Sequence, residues 1–274
     1  MPVKPEPKIK HNLINIDSNK NIYRVIDINY LFDIFANKKL VFVAPELWDD
    51  PYESFLKTCY SIEKLGLIQR KRSYENYSKL IFGQCWTSKS ESDATWRIYS
   101  PNGNKVKIKT KVKKISDILS LIKIEDTRTY IGRVEYKSIK NIEDNIKNGL
   151  DNHHKSFFGE NLIRNFYFVK RRDFTHEHEV RIIIDFRKSE NFNEDRINKE
   201  YITDHNNKHL CFLNIEEPLE LIDEIVFDPR MSLNLADSYK YCLRNKYGFK
   251  KRIYKSKIYN QPEIKNIISP IKMF

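Results

Sequence analysis

Glu177 and Glu179 stand two residues apart at the head of the run Phe174-Thr-His-Glu-His-Glu-Val-Arg-Ile-Ile-Ile-Asp185. Side chains of an extended strand alternate faces, so a strand here would carry Glu177, Glu179 and Arg181 together. Val180, Ile182 and Ile184 would fall on the other face, which reads as the core side. Adjacent carboxylates at the mouth of a buried strand repel one another, and a ligand bearing hydroxyl groups, or a cation, would offset that repulsion. A solvated strand end, its charges meeting only water and Arg181, accounts for the same pattern without chemistry.

Two further polar groups fall at the ends of strand-like runs. Arg24 follows Ile22-Tyr23, and Thr87-Ser88 follow Cys85-Trp86. Along the chain the order is a guanidinium, then hydroxyls, then paired carboxylates. ADP-ribosyl transfer from nicotinamide adenine dinucleotide (NAD) uses such groups in distinct roles. A cation holds the diphosphate or the adenosine ribose, hydroxyls shape the nicotinamide ribose pocket, and a carboxylate engages the ribose 2′-hydroxyl. Departure of nicotinamide leaves an oxocarbenium-like centre that a fixed anion stabilises. The second carboxylate can deprotonate or orient the acceptor. Read singly, Arg24 is equally a surface charge and Thr87-Ser88 a turn.

These groups need strands to position them. Residues 22–25 form a short strand, and Asp27 then caps a helix whose Ile28, Leu31, Phe32 and Phe35 share a face. Residues 40–44 make a second strand, broken by Pro45, and residues 54–80 read as helical. Strands follow at 80–86, 106–112, 129–136, 178–186, 210–215, 221–227 and 252–259. Helical patterns occupy 94–99, 115–122, 139–168 and 233–246. Residues 1–20, polar and with three early prolines, read as a flexible N-terminal arm, and 21–274 as one α+β domain with a mixed or antiparallel sheet.

Hydrophobic residues at 40% and charged residues at 31% suit a globular chain with one substantial core. The net charge of +12 favours polyanionic partners, because phosphate contacts release counterions. Basic clusters lie at 69–72, 105–114, 170–172 and 250–252, and in the second Lys105, Lys107, Lys109, Lys111 and Lys113 alternate as on one strand face. A solvated sheet edge would look the same. The four cysteines are dispersed, as in a reduced cytosolic protein. No apolar run approaches the about 20 residues of a membrane span, and the N-terminus lacks the apolar centre of a signal peptide. A cytoplasmic protein without membrane contact is expected.

Several short motifs fall in a recognisable order. They are Tyr23-Arg24, residues 40–45, Asp49-Asp-Pro-Tyr-Glu53, Cys85-Trp-Thr-Ser88, Trp96-Arg-Ile-Tyr99, Glu177-His-Glu-Val-Arg181 and the segment Asp223 to Ser232. Over roughly residues 22–260 the chain resembles a widespread bacterial domain of unknown function marked by D-P-[FY]-E, W-x-x-Y and a late E-x-R strand. The order of Arg, Ser/Thr and E-x-E is also similar to arginine-type ADP-ribosyltransferase folds, including toxins that modify nucleic acids. That family's aromatic-Ser-Thr-Ser signature is present only as Trp86-Thr-Ser88.

The second resemblance implies an ADP-ribosyltransferase-like fold with NAD as co-substrate. Arg24 would bind the dinucleotide, Thr87 or Ser88 would support the nicotinamide ribose, Glu179 would be the catalytic carboxylate and Glu177 would assist the acceptor. Tyr23, Trp86, Trp96 and Tyr99 are the stacking candidates, Trp96 and Tyr99 first. Residues 49–53 are a structural turn or a loop bordering the cleft. The implied protein is a toxin or anti-phage defence effector acting on nucleic acid, RNA before DNA, with an antitoxin as its expected protein partner.

Other classes compete. Asp126 with Glu135-Tyr-Lys137 echoes a metal-dependent nuclease, in which carboxylates hold Mg²⁺ and the lysine orients water. A zinc site from His153, His154, His176 and His178 is the weaker metal reading, since His176 and His178 would share the apolar strand face. A basic nucleic-acid-binding module without catalysis explains the charge but not the paired glutamates.

Overall fold

The computed structural model of the chain describes residues 11–48, 50–53, 60–65, 68–73, 79–122, 127–151, 160–186, 201–205 and 208–261. It opens with β1 (His11–Ile14) and β2 (Asn21–Ile26). Asp27 then accepts the Asn29 N–H and caps α1 (Ile28–Asn37), which buries Ile28, Leu31, Ile34 and Phe35. β3 (Lys39–Val43) follows. The helix expected over 54–80 gives way to β4 (Tyr60–Leu65) and β5 (Ile68–Ser73), paired antiparallel with Leu65 opposite Ile68. The other residues of that range up to 78 lie outside the described residues.

β6 (Ile81–Thr87), α2 (Asp93–Tyr99), β7 (Val106–Lys111) and α3 (Val112–Leu119) come next, then β8 (Arg128–Arg133) and β9 (Glu135–Lys137). α4 (Ile139–Asp151) and α5 (Glu160–Tyr167) precede β10 (Val169–Arg171), a 3-10 turn over Arg172–Glu177, and β11 (Glu179–Asp185). The remaining elements are β12 (Ile202–His205), β13 (Lys208–Asn214), α6 (Pro218–Leu221), β14 (Glu224–Phe227), α7 (Leu233–Asn245) and β15 (Arg252–Lys255).

An 11-stranded sheet runs β1-β8-β11-β6-β2-β7-β14-β15, with β12-β13-β3 joining at β6. The β1–β8 and β14–β15 pairs are parallel, whereas β11 is antiparallel to both neighbours, so the α+β class and the mixed sheet stand as expected. The arm expected over residues 1–20 contains β1, captured by the open edge of β8 from Thr129 to Gly132. Among the described residues no helix is long and apolar enough to cross a membrane.

Both faces of β11 are buried. Val180, Ile182 and Ile184 join the main core with Ile22, Phe82 and Ile225, while Ile183 packs with Ile81, Tyr130, Ile163 and Phe166 in a second cluster. The face expected to meet solvent beside Glu179 is therefore covered, and Arg181 is 0% exposed.

The sheet divides along one edge of β6. Its ladder with β11 is complete from Glu179↔Thr87 to Asp185↔Ile81. On the opposite edge only Val43↔Gly83 joins it to β3, and only Tyr23↔Thr87 to β2. One side chain bridges to β3, Gln84 Nε2 donating to the Val41 carbonyl (2.6 Å), and Trp86 Nε1 on the same strand steadies it by donating to Gln84 Oε1 (3.0 Å). Strands that meet at one residue pair and then diverge leave room for a ligand between them.

Candidate active site

Where β2 leaves β6, Tyr23, Arg24, Val25, Cys85, Trp86, Thr87, Thr95, Tyr99, Glu177 and Glu179 line an open cleft of about 610 Å³, its solvent mouth included. It gathers five of the polar residues singled out from sequence: Arg24, Thr87, Tyr99, Glu177 and Glu179. They come from the two divergent strands β2 and β6, from α2, from the 3-10 turn before β11 and from the first residue of β11.

The carboxylate pair is not one face of a strand. Glu177 ends the 3-10 turn, and His178 takes the left-handed conformation (φ 45°, ψ 48°) before β11 begins at Glu179. Asparagine, aspartate and histidine are the non-glycine residues most enriched in that region. The bend is fastened from β6. Thr87 Oγ1 donates to the Glu177 carbonyl (2.7 Å), and the Ser88 N–H and Oγ both donate to the His178 carbonyl (2.9 and 3.1 Å). Ser88 thus holds backbone and is not among the cleft's lining residues.

Behind the cleft the carboxylates enter a buried ion network. Arg181 donates through Nε to Glu179 Oε1 (2.8 Å) and through Nη2 to Oε2 (3.0 Å), with Nη2 also pairing to Glu53 and Nη1 donating to the Tyr167 carbonyl. Lys170 Nζ reaches Glu177 (2.6 Å), Glu179 (3.4 Å) and Glu53 (3.6 Å). Three carboxylates against two cations leave one net negative charge beside the cleft. Burial pushes the Glu179 carboxyl up, but Arg181 and Lys170 outweigh it and hold the group at about 2. Burial also raises Glu53 and, with Glu179, lifts the Cys85 thiol well above its ordinary value. Tyr136 Oη accepts the Glu179 N–H (2.8 Å).

Trp48 covers Arg181, its ring 4.5 Å from the guanidinium carbon. A Cβ at residue 83 would stand 2.6 Å from Trp48 Cζ2, so that close approach requires Gly83. Residues 50–53 lie behind the ion network and are not among the cleft's lining residues. Asp50 binds Arg171 through both oxygens (2.9 and 3.2 Å), and Tyr52 lies under the same guanidinium at 5.0 Å. The segment is thus the structural member of the pair of readings, with Asp49 outside the described residues. Lys170 and Arg171, read from sequence as part of a polyanion-binding cluster, are instead held by these carboxylates.

Arg24 is the opposite case. Strand alternation places it on the face that carries Ile22 and Ile26 into the core, and burial lowers its affinity for a proton. Among the described residues no hydrogen bond or ion pair engages its guanidinium. The residue is half-buried, and partial burial of an arginine without a counter-ion is unfavourable; an anion in the cleft would satisfy it. Tyr23 lines the same wall. Tyr99, 41% exposed, has its hydroxyl proton held by burial and by the neighbouring Glu177, which accepts its hydrogen bond.

Trp96 does not serve as the expected stacking platform. It is 1% exposed, donates Nε1 to Glu91 (2.9 Å) and lies 5.3 Å beneath Lys107 Nζ, so its work is to seat α2. Asp228 and Arg230 fix the other end of that helix, Arg230 Nη2 donating to the carbonyls of Trp96 (3.0 Å) and Ser100. Both motifs hold Tyr99 at the cleft from a distance.

The competing metal readings find little. Lys137 pairs with Glu135 (3.2 Å) on β9, and Asp126 lies outside the described residues. His176 and His178 are exposed rather than on an apolar face, and His153 and His154 also lie outside the described residues. Among the described residues no group of three or more His, Cys, Asp or Glu could hold a metal ion.

A family model described as protein of unknown function (DUF2971) matches residues 95–182, from α2 through the start of β11. No curated protein matches the chain. Among solved structures, the chain is similar to Thermus sp. 2.9 DarT in complex with NAD⁺, at 8% identity and a TM-score of 0.39 over 88% of this chain and 97% of that one. The same protein in complex with ADP-ribosylated single-stranded DNA gives 9% and 0.38 over 89% and 97%. Its complex with carba-NAD⁺ gives 10% and 0.35 over 88% and 98%. Likeness at that level leaves the chemistry to be read from the side chains.

Proposed function

We propose that the chain is a NAD-dependent ADP-ribosyltransferase of ADP-ribosyltransferase-like fold whose acceptor is nucleic acid. One observation carries the reading: an unpaired, half-buried Arg24 and a carboxylate cluster with one uncompensated negative charge face a single cleft between diverging strands. NAD has the matching polarity. Its diphosphate is an anion, and the C1′ of its nicotinamide ribose becomes cationic as the glycosidic bond breaks.

Arg24 takes the diphosphate end. Glu179 is anionic at any physiological pH, so its charge is in place before the bond to nicotinamide lengthens, and it accepts from the ribose 2′-hydroxyl. The bonding electrons leave with nicotinamide, whose ring nitrogen becomes neutral. Glu177, nearer the mouth, receives the acceptor's proton as the new bond to C1′ forms. Tyr23 and Tyr99 flank the nicotinamide ribose, and Thr87, whose Oγ1 accepts the Lys89 N–H, has one lone pair left for a ribose hydroxyl while its proton fixes the Glu177 carbonyl. The +12 charge supports a polyanionic acceptor, in keeping with a toxin or defence effector.

The test is incubation with NAD labelled in its adenylate half, together with RNA, single-stranded DNA and lysate protein. Label is expected in nucleic acid, and Glu179→Gln should remove it. Undiminished NAD with every acceptor, or an active Glu179→Gln protein, would overturn the assignment. Shortened nucleic acid without label would favour a nuclease.

A further inference from the structure

Beyond the cleft, the outer face of the half-sheet β2-β7-β14-β15 offers a second surface, and we infer that it is the platform on which a single-stranded nucleic-acid acceptor lies. The inference rests on the transferase reading only for where the acceptor's reacting end goes. Alternation sends Ile22, Ile108, Ile225 and Ile253 into the core, where α7 contributes Ala236 and Leu243. The other face carries Tyr23, Lys109, Glu224 and Arg252 in one cross-strand row, each the register partner of the next. Three strand spacings make the row about 14 Å long, room for two or three nucleotides. It starts at Tyr23 in the cleft wall and ends at the sheet edge.

Its chemistry suits single strands. The Arg252 side chain is 70% exposed and sits over Tyr254, its guanidinium carbon 4.3 Å from the ring centroid. Glu224 holds both upright, accepting from Arg252 Nη1 and Tyr254 Oη at 3.3 Å each. A guanidinium stacked on a ring presents its second face to an unpaired base, a sequence-tolerant contact. Lys109 and the exposed Lys111 share this face as phosphate partners. The alternating lysine run therefore divides: Lys107 is 4% exposed and bound to Glu91 and the Ser90 carbonyl, while the outer lysines remain for a ligand.

The experiment is fluorescence anisotropy of labelled ten-nucleotide single-stranded DNA and RNA, titrated with the whole chain at low salt. Arg252→Glu and Lys111→Glu are each expected to weaken binding about tenfold, and Tyr254→Ala by a similar factor. Lys240→Glu, on the exposed side of α7 in the opposite layer, changes net charge equally and should stay within about twofold. Equal losses in Lys240→Glu and Arg252→Glu would overturn the platform, as would a wild-type protein that binds neither strand. Tighter binding of one strand names the acceptor class. Failure here is separable from failure of the transferase: label moving from NAD to protein without oligonucleotide binding removes the platform alone, and oligonucleotide binding without NAD consumption removes the transferase alone.

Discussion

Arg181 grips both oxygens of Glu179, at 2.8 and 3.0 Å, from two residues further along the same strand. The pairing fixes the carboxylate and keeps it charged, while the second half of the guanidinium is anchored to Glu53. Glu179→Gln keeps the shape and removes the charge. Transfer from NAD should fall about 10²- to 10³-fold with the fold intact, measured as label incorporated per minute beside a circular-dichroism melt.

Removing the cation is a different experiment. Arg181→Met would leave Glu53 and Glu179 facing each other in a buried site with only Lys170 between them. Truncating one partner of a buried ion pair costs about 3–5 kcal/mol, so this protein should unfold at distinctly lower urea, or fail to accumulate. A melt equal to wild type would contradict the network.

Arg24 makes the reverse prediction. It has no partner to lose, and its partial burial is unfavourable, so Arg24→Gln should melt at or above the wild-type temperature. NAD binding, followed by the thermal shift the dinucleotide induces, should weaken at least about tenfold. A destabilised variant that still binds NAD would make Arg24 a structural residue.

The depressed Glu179 carboxyl also sets a pH dependence. Its folded value is about 2, below the roughly 4.3 of an unfolded glutamate, so it contributes stability above the unfolded value that is lost as pH falls towards 2. Glu53 is shifted upward and acts in the opposite sense, its burial relieved by protonation. Urea unfolding between pH 7 and 3 should show wild type losing stability below about pH 4, with a shallower loss in Glu179→Gln. Parallel curves would show that Glu179 is not held ionised.

Motif order was legible in the sequence because each motif ends an apolar run: Arg24 after Ile22-Tyr23, Thr87 after Trp86, Glu179 before Val180. The partners were not. Glu53, in a 3-10 turn, and Arg181, on β11, are 128 residues apart and meet only in the folded chain, so Arg181 read as a solvent-facing strand charge and Lys170-Arg171 as a basic patch. The acidic motif at 49–53 and the basic run at 170–172, opposite in charge, were the available signal of mutual pairing, although 121 residues separate Asp50 from Arg171. The lysine run looked like an edge, yet β7 lies between β2 and β14. Trp96 misled because composition cannot separate a tryptophan that seats a helix from one that lines a cleft.

His178 supplies the last prediction. Its left-handed conformation separates Glu177 in the 3-10 turn from Glu179 on the strand, and Thr87 and Ser88 fasten the bend. Glycine adopts that conformation freely, so His178→Gly should keep both fold and transfer rate within about twofold. A β-branched residue there is strained by about 1–2 kcal/mol, and His178→Val should relieve the strain by straightening the chain and displacing Glu177. Its turnover should fall while NAD binding, which depends on Arg24, is retained. Equal activity in the glycine and valine proteins would mean that Glu177 needs no bend to reach the acceptor, and the assignment of Glu177 as the proton-accepting group would fail.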